Sequence, residues 1–197
     1  MIIEQEITVL VTSSYQELHH KLTEYDFEIK EDYFIDDYYM IDKSINLMEY
    51  DKLEILKKCI LVRDIIGVEK TLLYKYKEYD SNGNILKQGK VKCPIDEVNK
   101  AIHFMEAINY RELFHIKDHC ITYTNDDSEL TVQIINDGYI FIEMEDRSRF
   151  IDRDYKNIEE MKEDLEQYDL PYQKDNYFVK KALIMLEKVI QMEQKKI

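Results

Sequence analysis

The chain has 197 residues, 45% of them hydrophobic, and a formal net charge of −14, enough length for a substantial core and too acidic a balance for the broad basic footprint that nucleic acid requires. No apolar run approaches the roughly 18–20 residues that span a bilayer, and the opening Met1-Ile2-Ile3-Glu4 carries no secretion signal, so a cytoplasmic location with no membrane partner is expected. Cys59, Cys93 and Cys120 are odd in number and lack Cys-x-x-Cys spacing, which reads as reduced thiols rather than a disulfide frame or zinc site.

Residues 2–11 alternate as a strand, with Glu4, Glu6 and Thr8 on one face and Ile3, Ile7, Val9 and Val11 on the other. Ser14-Tyr15-Gln16-Glu17 is a capping-box signature, and Tyr15, Leu18, Leu22 and Tyr25 continue it as a helix. Residues 32–39 are aromatic-rich and extended. Residues 44–57 are ambiguous and include a possible short helix. Residues 58–64 and 69–78 read as strands, and Asp80-Ser81-Asn82-Gly83-Asn84 as a turn into a strand at about 85–92. Val98, Ala101, Ile102, Met105 and Ile108 mark an amphipathic helix. Strands are then predicted near 112–117, 119–124, 129–135 and 139–145. In the last, Glu143 and Glu145 align with Tyr139 and Phe141, opposite Ile140, Ile142 and Met144. Helices near 157–167 and 176–193 flank Pro171. The reading is an α+β domain built on an antiparallel sheet.

If helices cover the apolar backs of the first and last strands, both Glu-x-Glu pairs face away from those helices. Inside a closed barrel they would need a cation to be tolerable; the plainer alternative is two solvated edge strands. Charge is unevenly spread: residues 31–53 hold seven acids against two bases, whereas 54–95 hold nine bases against five acids. A few focused cations can hold a small, multiply charged phosphate. Other chemistries find less support. Four glycines leave no Gly-rich phosphate loop. His19 and His20 are adjacent on a helix and point apart, His103 lies in the middle helix, and His115, His119 and Cys120 lack the convergent fourth ligand of a zinc site.

The order of these motifs resembles the CYTH superfamily, the triphosphate tunnel proteins that include class IV adenylyl cyclases, thiamine triphosphatases and inorganic triphosphatases. Glu4, Glu6 and Thr8 stand where that family has Glu-x-Glu-x-Lys. Asp36-Asp37-Tyr38-Tyr39 matches its Asp-x-Tyr-Tyr/Phe strand, and Ile60-Leu61-Val62-Arg63 its Leu-Arg-Ile-Arg strand with only the second arginine kept. Lys75 ends Leu72-Leu73-Tyr74-Lys75 as the family's lysine does. Lys117-Asp118-His119 follows the pattern Lys-x-Arg, and Glu143-Met144-Glu145 the late Glu-x-Glu. The resemblance covers about residues 2–145. Thr8, Leu61 and His119 replace three bases, Gln133 stands at an aspartate position, and the Arg-x-Glu strand has no clear match, although Lys87, Lys90 and Lys92 lie in that region.

The resemblance implies an antiparallel, roughly eight-stranded barrel over 1–145 with flanking helices, completed by C-terminal helices over 146–197 in one domain. It implies a triphosphate or other phosphorylated ligand as partner and Mg²⁺ or Mn²⁺ as cofactor. Glu4 and Glu6 would serve catalysis and, with Glu143 and Glu145, hold the metal; Arg63, Lys75, Lys117 and His119 would bind substrate. Lys75 alternates with Lys77 on one strand face, so either could point inward or both outward, and Arg63 has an alternative as a surface residue paired with Asp64 or Glu69. The expected activity is hydrolysis of inorganic or organic triphosphate. The alternative is a silent tunnel that binds a phosphorylated ligand or serves a structural role. Cyclase activity is less supported, because nothing in the sequence specifies an adenine pocket.

Overall fold

Two 15-residue strands form the spine of the molecule, a computed structural model that describes residues 5–79, 85–136 and 138–195, without the side chains of 77–79 and 85–88. In chain order the elements are β1 (Glu6–Leu10), α1 (Tyr15–Glu24), β2 (Glu28–Asp42), α2 (Lys52–Lys57), β3 (Ile60–Ile65), β4 (Glu69–Tyr79), β5 (Ile85–Pro94), α3 (Val98–Ala107), β6 (Tyr110–Thr124), β7 (Glu129–Ile135), β8 (Ile140–Glu145), α4 (Ile158–Glu166) and α5 (Lys181–Gln194). The strands form one eight-stranded sheet in the order β1-β8-β7-β6-β2-β3-β4-β5, and every pairing is antiparallel. β2 and β6 pair from Glu28 opposite Thr124 to Asp42 opposite Tyr110, with irregularities at Ile29/Glu31 and Tyr39/Met40. Glu4, Asp137 and the predicted turn at 80–84 lie outside the described residues.

Strand alternation assigns the two faces of this sheet. On the convex side the predicted apolar backs are buried: Ile7 and Val9 of β1 and Ile142 and Met144 of β8 pack with Leu18 and Leu22 of α1 and Met161 and Leu165 of α4. The capping box starts α1 as expected, with Ser14 Oγ accepting from Glu17 N at 3.3 Å and Ser14 N donating to Glu17 Oε2 at 2.9 Å. α3 covers the same side farther along, through Ala101 and Met105 against Met40 and Val62. On the concave side, one end is filled by Phe114, Ile116, Ile135 and Phe141, which pack on Met185, Leu186 and Ile190 of α5 and Ile55 of α2. α5 therefore plugs the concavity and leaves its other end polar. No helix among the described residues is long and apolar enough to cross a membrane.

The structure departs from the sequence reading at β6 and at the final helix, and it contains the short helix allowed within 44–57. The strands predicted at 112–117 and 119–124 are one strand, β6, because Asp118 is a ladder residue opposite Ile135 and Ile35 rather than a turn. The ambiguous 44–57 connection contains α2, capped by Asp51, whose side chain accepts from Leu53 N at 2.8 Å. The final helix begins at Lys181, not at 176. Residues 176–180 stay extended because β1 captures their backbone: Thr8 N donates to Tyr177 O at 2.9 Å and Val179 N to Thr8 O at 3.0 Å. With Thr12 N on Pro171 O and Gln173 N on Leu10 O, this strap runs along the outer edge of β1.

Asp164 ties α4 to the sheet. Its side chain is 1% exposed and accepts from Ser128 Oγ at 2.5 Å, Tyr155 OH at 2.6 Å, Gln167 Nε2 at 2.7 Å and Arg153 Nη2 at 2.9 Å. Removing one partner of a buried charge network leaves the others uncompensated. Asp164→Ala should lower the free energy of unfolding by about 3 kcal/mol, and Asp164→Asn by less, as read by urea denaturation.

Candidate functional site

All eight strands contribute side chains to one cavity of about 250 Å³, and residues 178–182 of the strap and α5 complete its wall. Glu6, Glu143 and Glu145 converge there. Glu6 stands directly opposite Glu145, and Glu143 opposite Thr8, across the β1–β8 ladder. One carboxylate oxygen from each of the three lies within 4.8 Å of the other two. The position follows from the fold, since the helices bury the alternate residues of both strands. Burial pushes the Glu143 carboxyl up and the charge of Glu6 adds to this, against the opposing pull of Lys181 and Lys75. Clustered like charges of this kind are costly alone, and an oxygen-seeking hard cation relieves them.

The opposing wall is cationic. Lys75 of β4 and Lys90 of β5 face each other across the ladder, and both line the cavity. Directly opposed like charges destabilise a sheet, which an anion between them would offset. Their neighbours Tyr76 and Gly89 are paired one position on, where a Cβ on Gly89 would fall 2.3 Å from the Tyr76 ring. Arg63 is held by Asp37 in a two-pronged contact, Nε to Oδ1 at 2.7 Å and Nη2 to Oδ2 at 2.5 Å. Burial would raise the Asp37 pKa, but the charge and hydrogen bonds of Arg63, helped by Lys75 and Lys181, hold it below its usual 3.8. Lys180 and Lys181 enter from the start of α5, and Lys181 Nζ donates to Asp118 Oδ2 at 2.5 Å. Burial alone would lower the Lys181 pKa; Asp118 and Glu143 outweigh it and keep the ammonium charged.

The structure brings together five of the residues singled out in the sequence: Glu6, Arg63, Lys75, Glu143 and Glu145. Arg63 pairs with neither Asp64 nor Glu69 but turns inward to Asp37. Lys117 and His119 are corrected. Ile116 and Asp118 occupy the lumen face of β6, so the alternate residues project outward. Lys117 is exposed, and His119 lies flat on Phe34 with Nε2 2.7 Å from Asp32 Oδ1. His115 repeats the arrangement on Tyr38 and Asp36. Sequence reasoning missed Asp118, Lys180 and Lys181 as lumen residues and did not assign Asp37 or Lys90 a role. One available signal was the pair of lysines opening an amphipathic helix, where the macrodipole disfavours cations. A second cavity of about 300 Å³ shares Tyr33, Ile65, Glu143 and Glu145 with the first, so the carboxylates sit where two chambers meet.

No family model and no curated protein matches the sequence. Solved structures do match. The PH1819 protein of Pyrococcus horikoshii aligns with a TM-score of 0.61 at 17% identity, over 94% of this chain and 99% of its own. A conserved hypothetical protein of Pyrococcus furiosus aligns with a TM-score of 0.60 at 15% identity, over 88% and 98%. The Hippeastrum protein HpAC1, described as an adenylyl cyclase candidate with a dominant triphosphatase activity, aligns with a TM-score of 0.61 at 11% identity, over 95% and 96%. Such identities establish a shared fold with these proteins.

The Asp37–Arg63 pair carries a pH signature. A carboxyl whose pKa is depressed by folding stabilises the fold above its unfolded value and loses that contribution as pH falls through the folded value. Stability should therefore hold at neutral pH and decline below about pH 4. Asp37→Asn should flatten that acid limb and cost about 3 kcal/mol at neutral pH by leaving Arg63 buried and unpaired, measured by urea denaturation across the acid range.

Proposed function

We propose that this CYTH-type tunnel is a metal-dependent hydrolase of inorganic or organic triphosphate. The observation that carries the reading is the convergence of Glu6, Glu143 and Glu145 across one cavity from the opposed Lys75–Lys90 pair. The donor set fits a hard cation, Mg²⁺ or Mn²⁺: three carboxylates from two strands, with oxygens close enough for a single ion. When bound, that ion supplies charge neutralisation at the phosphoryl oxygens and an activated water. Lys75, Lys90 and Lys180 hold phosphate oxygens through charge-assisted hydrogen bonds, each worth about 1.5–3 kcal/mol. Arg63 and Lys181, bound by Asp37 and Asp118, orient the ligand. The apolar floor beneath them keeps bulk water from that end of the tunnel. The triphosphatase activity ascribed to the Hippeastrum neighbour supports the choice of reaction.

One observation favours a second reading. Asp37 and Asp118 each tie up a lumen cation, which fits a tunnel that binds a phosphorylated ligand without turning it over.

Tripolyphosphate hydrolysis with Mn²⁺, alongside calorimetric titration of each component, separates the two. The hydrolase reading expects turnover in the parent. It also expects at least about a tenfold loss of Mn²⁺ affinity in Glu143→Gln/Glu145→Gln and of tripolyphosphate affinity in Lys75→Met, with Lys117→Met unchanged in both. Binding without turnover selects the second reading, and no binding of tripolyphosphate rejects both.

A further inference from the structure

Two buried acceptors at the floor of the tunnel have no use in holding a phosphate. Asp118 of β6 is 5% exposed; its Oδ2 receives Lys181, but its Oδ1 is buried with no hydrogen-bond partner among the described residues. Gln133 of β7 is likewise 5% exposed, and its Oε1 is buried without a partner. Cys120 stands opposite Gln133 and Asp118 opposite Ile135, so Asp118 and Gln133 are diagonal neighbours on the lumen face. Both line the cavity that holds the three glutamates. The adjacent Cys120 thiol, raised by burial and by the charge and a weak hydrogen bond of Asp118, stays neutral and gives that carboxylate only a weak donor. Glu143 and Asp118 lie close enough for their negative charges to act on each other.

We infer that this floor is a subsite for a primary ammonium, so that the tunnel's ligand is a phosphorylated amine rather than a bare polyphosphate. The inference rests on the proposed phosphate-binding tunnel and specifies what that tunnel accepts. Phosphate oxygens are acceptors and would meet Asp118 Oδ1 with repulsion, and Gln133 would serve them only by turning its amide N–H groups inward. A divalent metal has the three glutamates nearby, whereas the floor offers it one carboxylate already shared with Lys181. An ammonium brings three N–H donors and a positive charge, which suit two unpaired acceptors, one of them a carboxylate oxygen. Gln133 stands where the resemblance has an aspartate, so at that position the floor is this chain's own departure. Both are specificity-determining residues by this reasoning.

The test compares aminoethyl and aminopropyl esters of methylene-bridged triphosphate, which resist hydrolysis, with the matching ethyl and propyl esters, by calorimetry with Mn²⁺ present. The better amino ester should bind about tenfold to a hundredfold more tightly than its alkyl counterpart. Asp118→Asn and Gln133→Met should each shrink that advantage to about threefold or less. Asp118→Asn should at the same time bind unsubstituted tripolyphosphate more tightly than the parent does, a gain that a merely structural role would not give. Should Asp118→Asn fail to fold, Gln133→Met decides alone. Equal binding of amino and alkyl esters would overturn the inference and leave the phosphate tunnel standing. Failure of every ester and of tripolyphosphate to bind would bring down both.

Discussion

Charge compensation in a small lumen is the constraint from which the rest of the structure follows. Glu6, Asp37, Asp118, Glu143 and Glu145 share one cavity with Arg63, Lys75, Lys90, Lys180 and Lys181. Neither set is tolerable there without the other, because unpaired charges taken out of water cost several kcal/mol each. The sheet meets the requirement by alternation. Every strand that sends a charge inward sends the next side chain outward, and on β1 and β8 that outward row forms the core beneath α1 and α4. The polar interior therefore depends on an apolar exterior and on helices to cover it. The apolar floor packed on α5 closes the arrangement at one end.

Within that balance, the lumen cations come from both the sheet and the strap: Arg63, Lys75 and Lys90 from β3, β4 and β5, and Lys180 and Lys181 from the end of the strap and the start of α5. Two lysines at the start of a helix oppose its dipole. Lys181 is nonetheless held there by Asp118 across the cavity. Because Lys180 and Lys181 belong to the strap and α5, the charge balance of the lumen is tied to the seating of that strap on β1.

The fold was largely legible in the sequence because its signals are periodic. The apolar backs at Ile7 and Val9 and at Ile142 and Met144, and the Ser14 capping box, formed where the pattern put them. β6 was misread as two strands because an isolated Asp between polar neighbours resembles a break; only the partner Lys181, distant in sequence, shows why it is buried. The same residue explains the misplacement of Lys117 and His119. A one-residue difference in register exchanges the two faces of a strand, and in a matched motif Lys-x-Arg drew attention to the flanking residues rather than to the one between them. Lys180 and Lys181 could not be placed in the lumen from sequence, because their position depends on backbone pairing of residues 177–179 with Thr8.

The route of the strap bears on when the chamber comes into being during synthesis. β1 leaves the ribosome early, yet its partners are Glu143 and Glu145 on one side and Tyr177 and Val179 on the other. Contacts so far apart in sequence form late, because the loop they close must be ordered first. The hairpins β3–β4–β5 and β6–β7–β8 can form from local pairings while Glu6 and its neighbours still lack a wall. The lumen is thus the last part to be enclosed: Lys75 and Lys90 are placed with the β4–β5 hairpin, whereas Lys180 and Lys181 reach the chamber only when the strap seats on β1. Until then β1 is an unpaired edge that a growing chain must shield from others of its kind.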